Sequence, residues 1–302
     1  MRPLVAMLAA LGLAAPATAL DRAEITVPAY VAPPVAQLHA RSLRSYSAAE
    51  ADQGVAVDRD HFYAIDNSLI GKYRLSDGVF VARWTGRSRG PIAHINSCHA
   101  IDERLICANS NYPEIPMGSS VEQFDTRRMT HAESRSLGLM DEGSLVWIFP
   151  YADGWMAGFA HYDRNDGRGG TGFKDARYGN VVTLDAQFRR TGGWLLPASV
   201  LERMRPHWAS GGALGPDGLL YVLGHDRPEF YVLAKPLMGP TLLHVATIAA
   251  DAPGQAFAFV PGGHRQVMAI DKRARRVNLI ELPAVVVPKG AEAAPFQLLV
   301  RP

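Results

Sequence analysis

Sulfur is scarce in this chain of 302 residues, which has two cysteines, Cys98 and Cys107. Two thiols alone do not make a thiolate metal centre, since such sites bring more sulfur, and a chain of this length needs no disulfide scaffold to fold. An excess of either charge is missing too, with 31 basic residues against 29 acidic ones. No broad field is available to hold nucleic acid or an anionic membrane, so charge selectivity has to be local. Nucleophile motifs are absent as well. There is no G-x-S-x-G, and SGGALGPDG (210–218) reads as a strand and a turn. GRGGTG (167–172) lacks the strand and helix that a dinucleotide phosphate site requires.

Long apolar runs do not occur beyond the first twenty residues. MRPLVAMLAALGLAAPATA (1–19) has one early positive charge at Arg2, an apolar stretch from Leu4 to Ala15, and small residues suited to cleavage before Leu20. That layout is an export signal; it is short and alanine-rich beside the roughly 20 apolar residues of a membrane span. The expectation is a mature chain from 20 to 302, periplasmic or secreted, with no stable membrane association. Export gives the cysteines a role. In CHAIDERLIC they flank the turn Asp102-Glu103 symmetrically and face one another across a hairpin, which predicts a disulfide, with paired buried thiols as the alternative.

What the chain has in quantity is a repeat. QGVAV-DRDH-FYAID (53–66), HINSCHA-IDER-LICAN (94–109), SLVWIF-PYADG-WMAGFAH (144–161), SGGAL-GPDG-LLYVLGH (210–225) and GQAFAFV-PGGHR-QVMAID (254–271) share one layout. Each is a short strand, a tight turn carrying Asp or Gly, and an apolar strand ending in a polar residue. Third strands follow at IGKYRL, SVEQFD, NVVTLD, EFYVLA and RVNLIEL, and fourth strands at FVARWTG, AESRSLG, GGWLLP and LLHVATIA. Counted along Asp66, Asn109, His161, His225 and Asp271, the units are 43, 52, 64 and 46 residues apart. Four antiparallel strands at such a period predict a single all-β domain, a β-propeller. A β-sandwich has no need of the period.

The fifth unit lacks an outer strand of its own. LHARSLRSYS (38–47) or PFQLLV (295–300) could supply it, and an N-terminal strand there would tie the ring shut. Five blades follow, or six if both end segments build one more. ASVLERMRPHW (198–208) is the one helical piece, ended by Pro206. DRNDGRGGTGFKDARYG (163–179) is a charged, glycine-rich loop.

Functional residues should gather at one mouth of the channel. The innermost strand starts on the face where its antiparallel neighbour ends, so Gln53, His94, Ser144, Ser210 and Gln255 converge with Asp66, Asn109, His161, His225 and Asp271. The turns lie on the opposite face, where solvation explains their composition. His94, His161, His225 and Gln255 come from four successive blades. Three imidazoles and an amide oxygen would hold Mn, Zn or Fe, and less readily Ca, with a position open to substrate. Asn109, Asn111, Asp66 and Asp271 form an oxygen-rich second set. Tyr162, His207 and Arg205 are the candidates for proton transfer and carboxylate contact, and Asn109, Asn111, Tyr112, Asp226 and Lys272 for substrate binding.

The three His and one Gln resemble the manganese centre of oligogalacturonate lyases, although here the four residues are spread one per blade. More broadly, the chain is similar to secreted bacterial propellers of the gluconolactonase, NHL-repeat and muconate-lactonising kind. That resemblance implies an exported metal-dependent lyase, lactonase or isomerase acting on a small acidic sugar or organic acid. The other reading is a non-catalytic propeller that binds a small ligand or a protein through the same mouth.

Overall fold

A computed structural model describes residues 29–163 and 174–296. The proposed signal at 1–19, Arg164 and Arg168 of the long loop, and the end of PFQLLV lie outside the described residues. Two strands come first, β1 (Ala36–His39) and β2 (Arg41–Ser47). The first blade is β3 (Gly54–Val57), β4 (His61–Asp66), β5 (Leu69–Arg74) and β6 (Phe80–Thr85). The second is β7 (His94–Ile101), β8 (Arg104–Ser110), β9 (Gly118–Asp125) and β10 (Thr130–Leu139). The third is β11 (Ser144–Tyr151), β12 (Gly154–Ala160), β13 (Asn180–Leu184) and β14 (Arg190–Leu195). Helix α1 (Ala198–Met204) leads into the fourth, β15 (Gly211–Leu214), β16 (Leu220–Leu223), β17 (Glu229–Pro236) and β18 (Leu243–Ala249). The fifth has β19 (Ala258–Phe259), β20 (Gln266–Asp271) and β21 (Arg276–Glu281); a short β22 (Ala293–Ala294) pairs with β17.

The chain is thus a five-bladed β-propeller of four-stranded blades, and the missing outer strand of blade five is β2. It pairs antiparallel with β21, from Arg41 opposite Glu281 to Ser47 opposite Arg276. β1 adds parallel to β18 and covers the outer edge of blade four. Burial follows strand position. The second strands are closed on both faces, as Leu220–Leu223 is throughout, whereas the outer β10 is exposed along nearly its whole length. A strand buried on both sides reads as a continuous apolar run, which is why LLYVL stands out in the sequence.

Cys98 and Cys107 lie directly opposite in the β7–β8 register and form a disulfide, with Cα atoms 4.0 Å apart, the closer spacing of a non-hydrogen-bonded pair. α1 ends at Met204, one turn short of the expected limit, because the chain turns out at Arg205 ahead of Pro206.

Blades pack through large rings set against glycine. Trp147 is buried and stacks on Phe149 and Trp208, with centroids 5.7 and 6.4 Å away. A Cβ on Gly158 would sit 2.2 Å from the Trp147 ring, and one on Gly212 would sit 2.6 Å from it. The indole therefore occupies space that two neighbouring strands leave vacant by lacking side chains. Substituting Gly158→Ala is expected to destabilise the fold by about 1–3 kcal/mol, because the ring has nowhere to move. The urea unfolding midpoint measures this, and an unchanged midpoint would contradict it.

Candidate functional site

Two cavities lie on the propeller axis. The smaller, about 140 Å³, is at the mouth where strand starts and ends converge. Blade one supplies Gln53 to its wall, and blade two supplies His94 and Asn96 with Tyr112 from the following loop. Tyr162 follows the second strand of blade three, His207 and Ser210 lie in the link from α1 to blade four, and His225 follows β16. Blade five gives Gln255 and Lys272. The larger, about 1010 Å³, opens on the turn face and reaches His61, His99 and His264. Sequence reasoning treated those turns as solvated surface and did not foresee this cavity. The linings meet at Asn96/Ser97 and Gln255/Ala256. There the inner strands touch: a Cβ on Gly54 would lie 2.6 Å from Ala256 Cβ, and one on Gly211 would lie 2.8 Å from Ala256 Cα. Small residues thus pinch the channel and give the mouth pocket a floor.

Each imidazole has its own environment. The Asn67 side-chain oxygen accepts from Gln53 Nε2 at 3.2 Å and also meets His94 Nδ1, so that nitrogen carries the proton and leaves the Nε2 lone pair available. The His94 backbone N–H donates to Asn109 Oδ1 at 3.2 Å. Burial, then the charge of Lys272, lowers the His94 pKa to about 4. His225 is also lowered to about 4, first by burial and next by His207. Its Nε2 lies 3.4 Å from the Gln255 amide nitrogen, an arrangement that makes Nε2 the acceptor of a neutral ring. Both imidazoles are therefore uncharged at neutral pH.

His207, a proton-transfer candidate from the sequence, lines the mouth pocket. Its ring stacks on His225 at 4.3 Å, and its Nδ1 meets Asp226 Oδ2 at 2.8 Å. Tyr162 packs edge-on against both rings, at 5.0 and 6.2 Å. Tyr112 bridges from Tyr162 to His94, at 5.8 and 5.1 Å. Lys272 reaches the pocket and pairs with the buried Asp52 at 3.3 Å.

Other residues from the sequence reading stand apart from the pocket lining. His161 is buried, with Nε2 3.3 Å from the Asp141 carbonyl and Nδ1 without a hydrogen-bond partner among the described residues. Beside its ring lies Gly143, where a Cβ would be 2.9 Å from His161 Cδ2; this glycine leaves the space the imidazole takes up. Arg205 pairs with Asp163. Asn109 donates to Ser120 Oγ, and Asn111 clamps its own loop through the Pro116 carbonyl and the Gly118 N–H. Asp66 pairs with Arg275 at 3.4 Å, and Asp271 accepts from Ala274 N–H in a turn. Two contributors were not foreseen. Asn96 sits at a β-bulge and donates to the Leu145 carbonyl of blade three at 2.8 Å; Asn67 follows the predicted strand end by one residue.

The depressed imidazoles make stability depend on acid. Burial holds His94, His225 and also His244 at about 4 in the folded protein, against roughly 6.5 in an unfolded chain. Between those values the unfolded state binds more protons. The stabilisation is complete above pH 6.5 and is lost as pH falls toward 4, by on the order of 1–3 kcal/mol for each group. Urea midpoints of chelator-treated protein are expected to drop between pH 6.5 and 4.5, and less so in His244→Gln. Equal midpoints at the two pH values would contradict this.

No family model and no curated protein sequence matches the chain. Among solved structures, it is similar to a chain of a mitotic checkpoint complex at 9% identity and a TM-score of 0.40, covering 88% of this chain and 99% of that one. It is similar to U3-55K at 12% identity and 0.42, covering 76% and 80%. The Pan2 WD40 domain of Neurospora crassa is similar at 7% identity and 0.42, covering 80% and 91%.

Proposed function

We propose that this propeller is an exported binding protein that recognises a small organic carboxylate in the mouth pocket. The observation that carries the reading is the pocket's chemistry. Among the described residues its lining has no carboxylate and one lysine, Lys272; the rest are imidazoles, of which His94 and His225 are neutral, with phenols, amides and a hydroxyl. The phenols, amide groups and hydroxyl of this wall have N–H and O–H groups to donate to an anion, and Lys272 adds one charge-assisted contact. Volume limits the ligand. About 140 Å³ takes a few groups of water size, each about 30 Å³. A small hydroxy acid or dicarboxylate fits that space, and an oligosaccharide does not.

Turnover at the same place is the second reading, in which a lyase, lactonase or isomerase of the gluconolactonase-like kind uses Mn, Zn or Fe. It is favoured by His94, His225 and Gln255 sharing one wall with Tyr162, a phenol packed edge-on against two imidazoles. There Tyr162 would hold or move a proton.

Calorimetry with glycolate and malonate, set against their methyl esters, tests the binding reading. Saturable binding of the acids with loss in the esters is expected, and Lys272→Met should weaken it about tenfold, the worth of one charge-assisted bond. Asp52 keeps Arg275 at 3.2 Å in that variant, so the fold is not left with an unpaired buried acid. Equal affinity for acids and esters, or none for either, would contradict the proposal.

A further inference from the structure

The sequence placed a metal on His94, His161, His225 and Gln255; among the described His, Cys, Asp and Glu residues, the donors that gather are those of His207, His225 and Asp226. We infer that His207, His225 and Asp226 form a site for a divalent transition ion at the rim of the mouth pocket. One nitrogen from each ring and one carboxylate oxygen all lie within 4.8 Å of one another. Around an ion bound at about 2.0–2.2 Å, tetrahedral neighbours stand about 3.3 Å apart. The His207–Asp226 pair at 2.8 Å is a little inside that spacing, so small rotations bring the three donors onto one ion.

The local chain makes those rotations possible and keeps one ligand fixed. His225 and Asp226 are consecutive, separated by one residue, Gly224, from the end of β16 at Leu223, and His207 sits where α1 hands over to blade four. His225 is the more enclosed ring, held between His207 and the Gln255 amide. His207 and Asp226 have side chains 30% and 52% exposed and are able to adjust. The Gln255 amide, next to His225, is placed as a fourth donor or as an orienting partner.

Two imidazoles and one carboxylate select the class of ion. The imidazoles disfavour Ca²⁺ and Mg²⁺, which take oxygen; Zn²⁺, Fe²⁺, Mn²⁺ and Co²⁺ accept such a set and keep positions for water or a ligand. Those positions face the mouth, because His207 and His225 both line the pocket. The site rests on the mouth being the working end of the protein, but it does not require carboxylate affinity.

Titrating the full-length protein with Co²⁺ alone, after chelator treatment, tests it without any organic ligand. One equivalent should bind with the visible bands of an ordered ligand field, and Zn²⁺ should displace it. Asp226→Asn and His225→Ala should each weaken Co²⁺ binding by tenfold or more, while His161→Ala and His264→Ala should leave it unchanged. Asp226→Asn changes only an exposed side chain, so its unfolding midpoint is expected to match that of the parent. Absence of stoichiometric Co²⁺ binding would overturn the site, as would binding that survives Asp226→Asn but is lost in His161→Ala. Carboxylate binding is measured separately in metal-free protein, so one proposal can fail while the other stands.

Discussion

The pairing of β2 with β21 is the constraint on which everything else depends. It joins Arg41 to Glu281, residues 240 apart in sequence, through a backbone ladder and a side-chain ion pair. Blade five has three strands of its own, so without β2 it would present an open edge and the ring would have a seam. Immediately after β2 the chain passes through buried Glu50, which meets Tyr73 and Arg83 of blade one. Replacing a carboxylate's water by a phenol and a guanidinium offsets the cost of burying it. The same few residues thus finish the last blade and anchor the first.

Closure of that seam accounts for the mouth. Gln53 and His94 belong to the first two blades, and His225, Gln255 and Lys272 to the last two, yet all line one pocket. Contacts across the seam are direct: Ala256 N–H donates to the Gln53 carbonyl at 3.1 Å, and Lys272 reaches Asp52 at 3.3 Å. Because the pocket walls are parts of a rigid ring, the imidazoles stay desolvated and neutral. Each neutral ring keeps one lone pair, able to accept a hydrogen bond or to coordinate an ion.

The architecture was legible because strand pattern and turn spacing are local and repeated. The five hairpins, the outer strands of four blades and the facing cysteines follow from period, alternation and turn chemistry; for blade five the sequence left two end segments open, and β2 fills the place. The site was legible in part. Position at a strand end fixes where a backbone emerges on the disc, and this placed His94, His225 and Gln255 at one mouth. It does not fix where a side chain turns. His161 occupies the equivalent position in blade three but lies over Gly143 against the Asp141 carbonyl. His207, from the segment after a helix outside the repeat, comes to stack on His225 instead. The broad cavity on the turn face was hidden for a related reason: turn residues read as solvated whether they border open solvent or a funnel.

The role of β2 is tested most directly by a chain that starts at Ala48, followed by amide hydrogen exchange and urea unfolding. Loss of one cooperative transition, together with loss of protection in β20 and β21, is the expected result. Unchanged protection in those strands and an unchanged midpoint would show that the ring closes without β2.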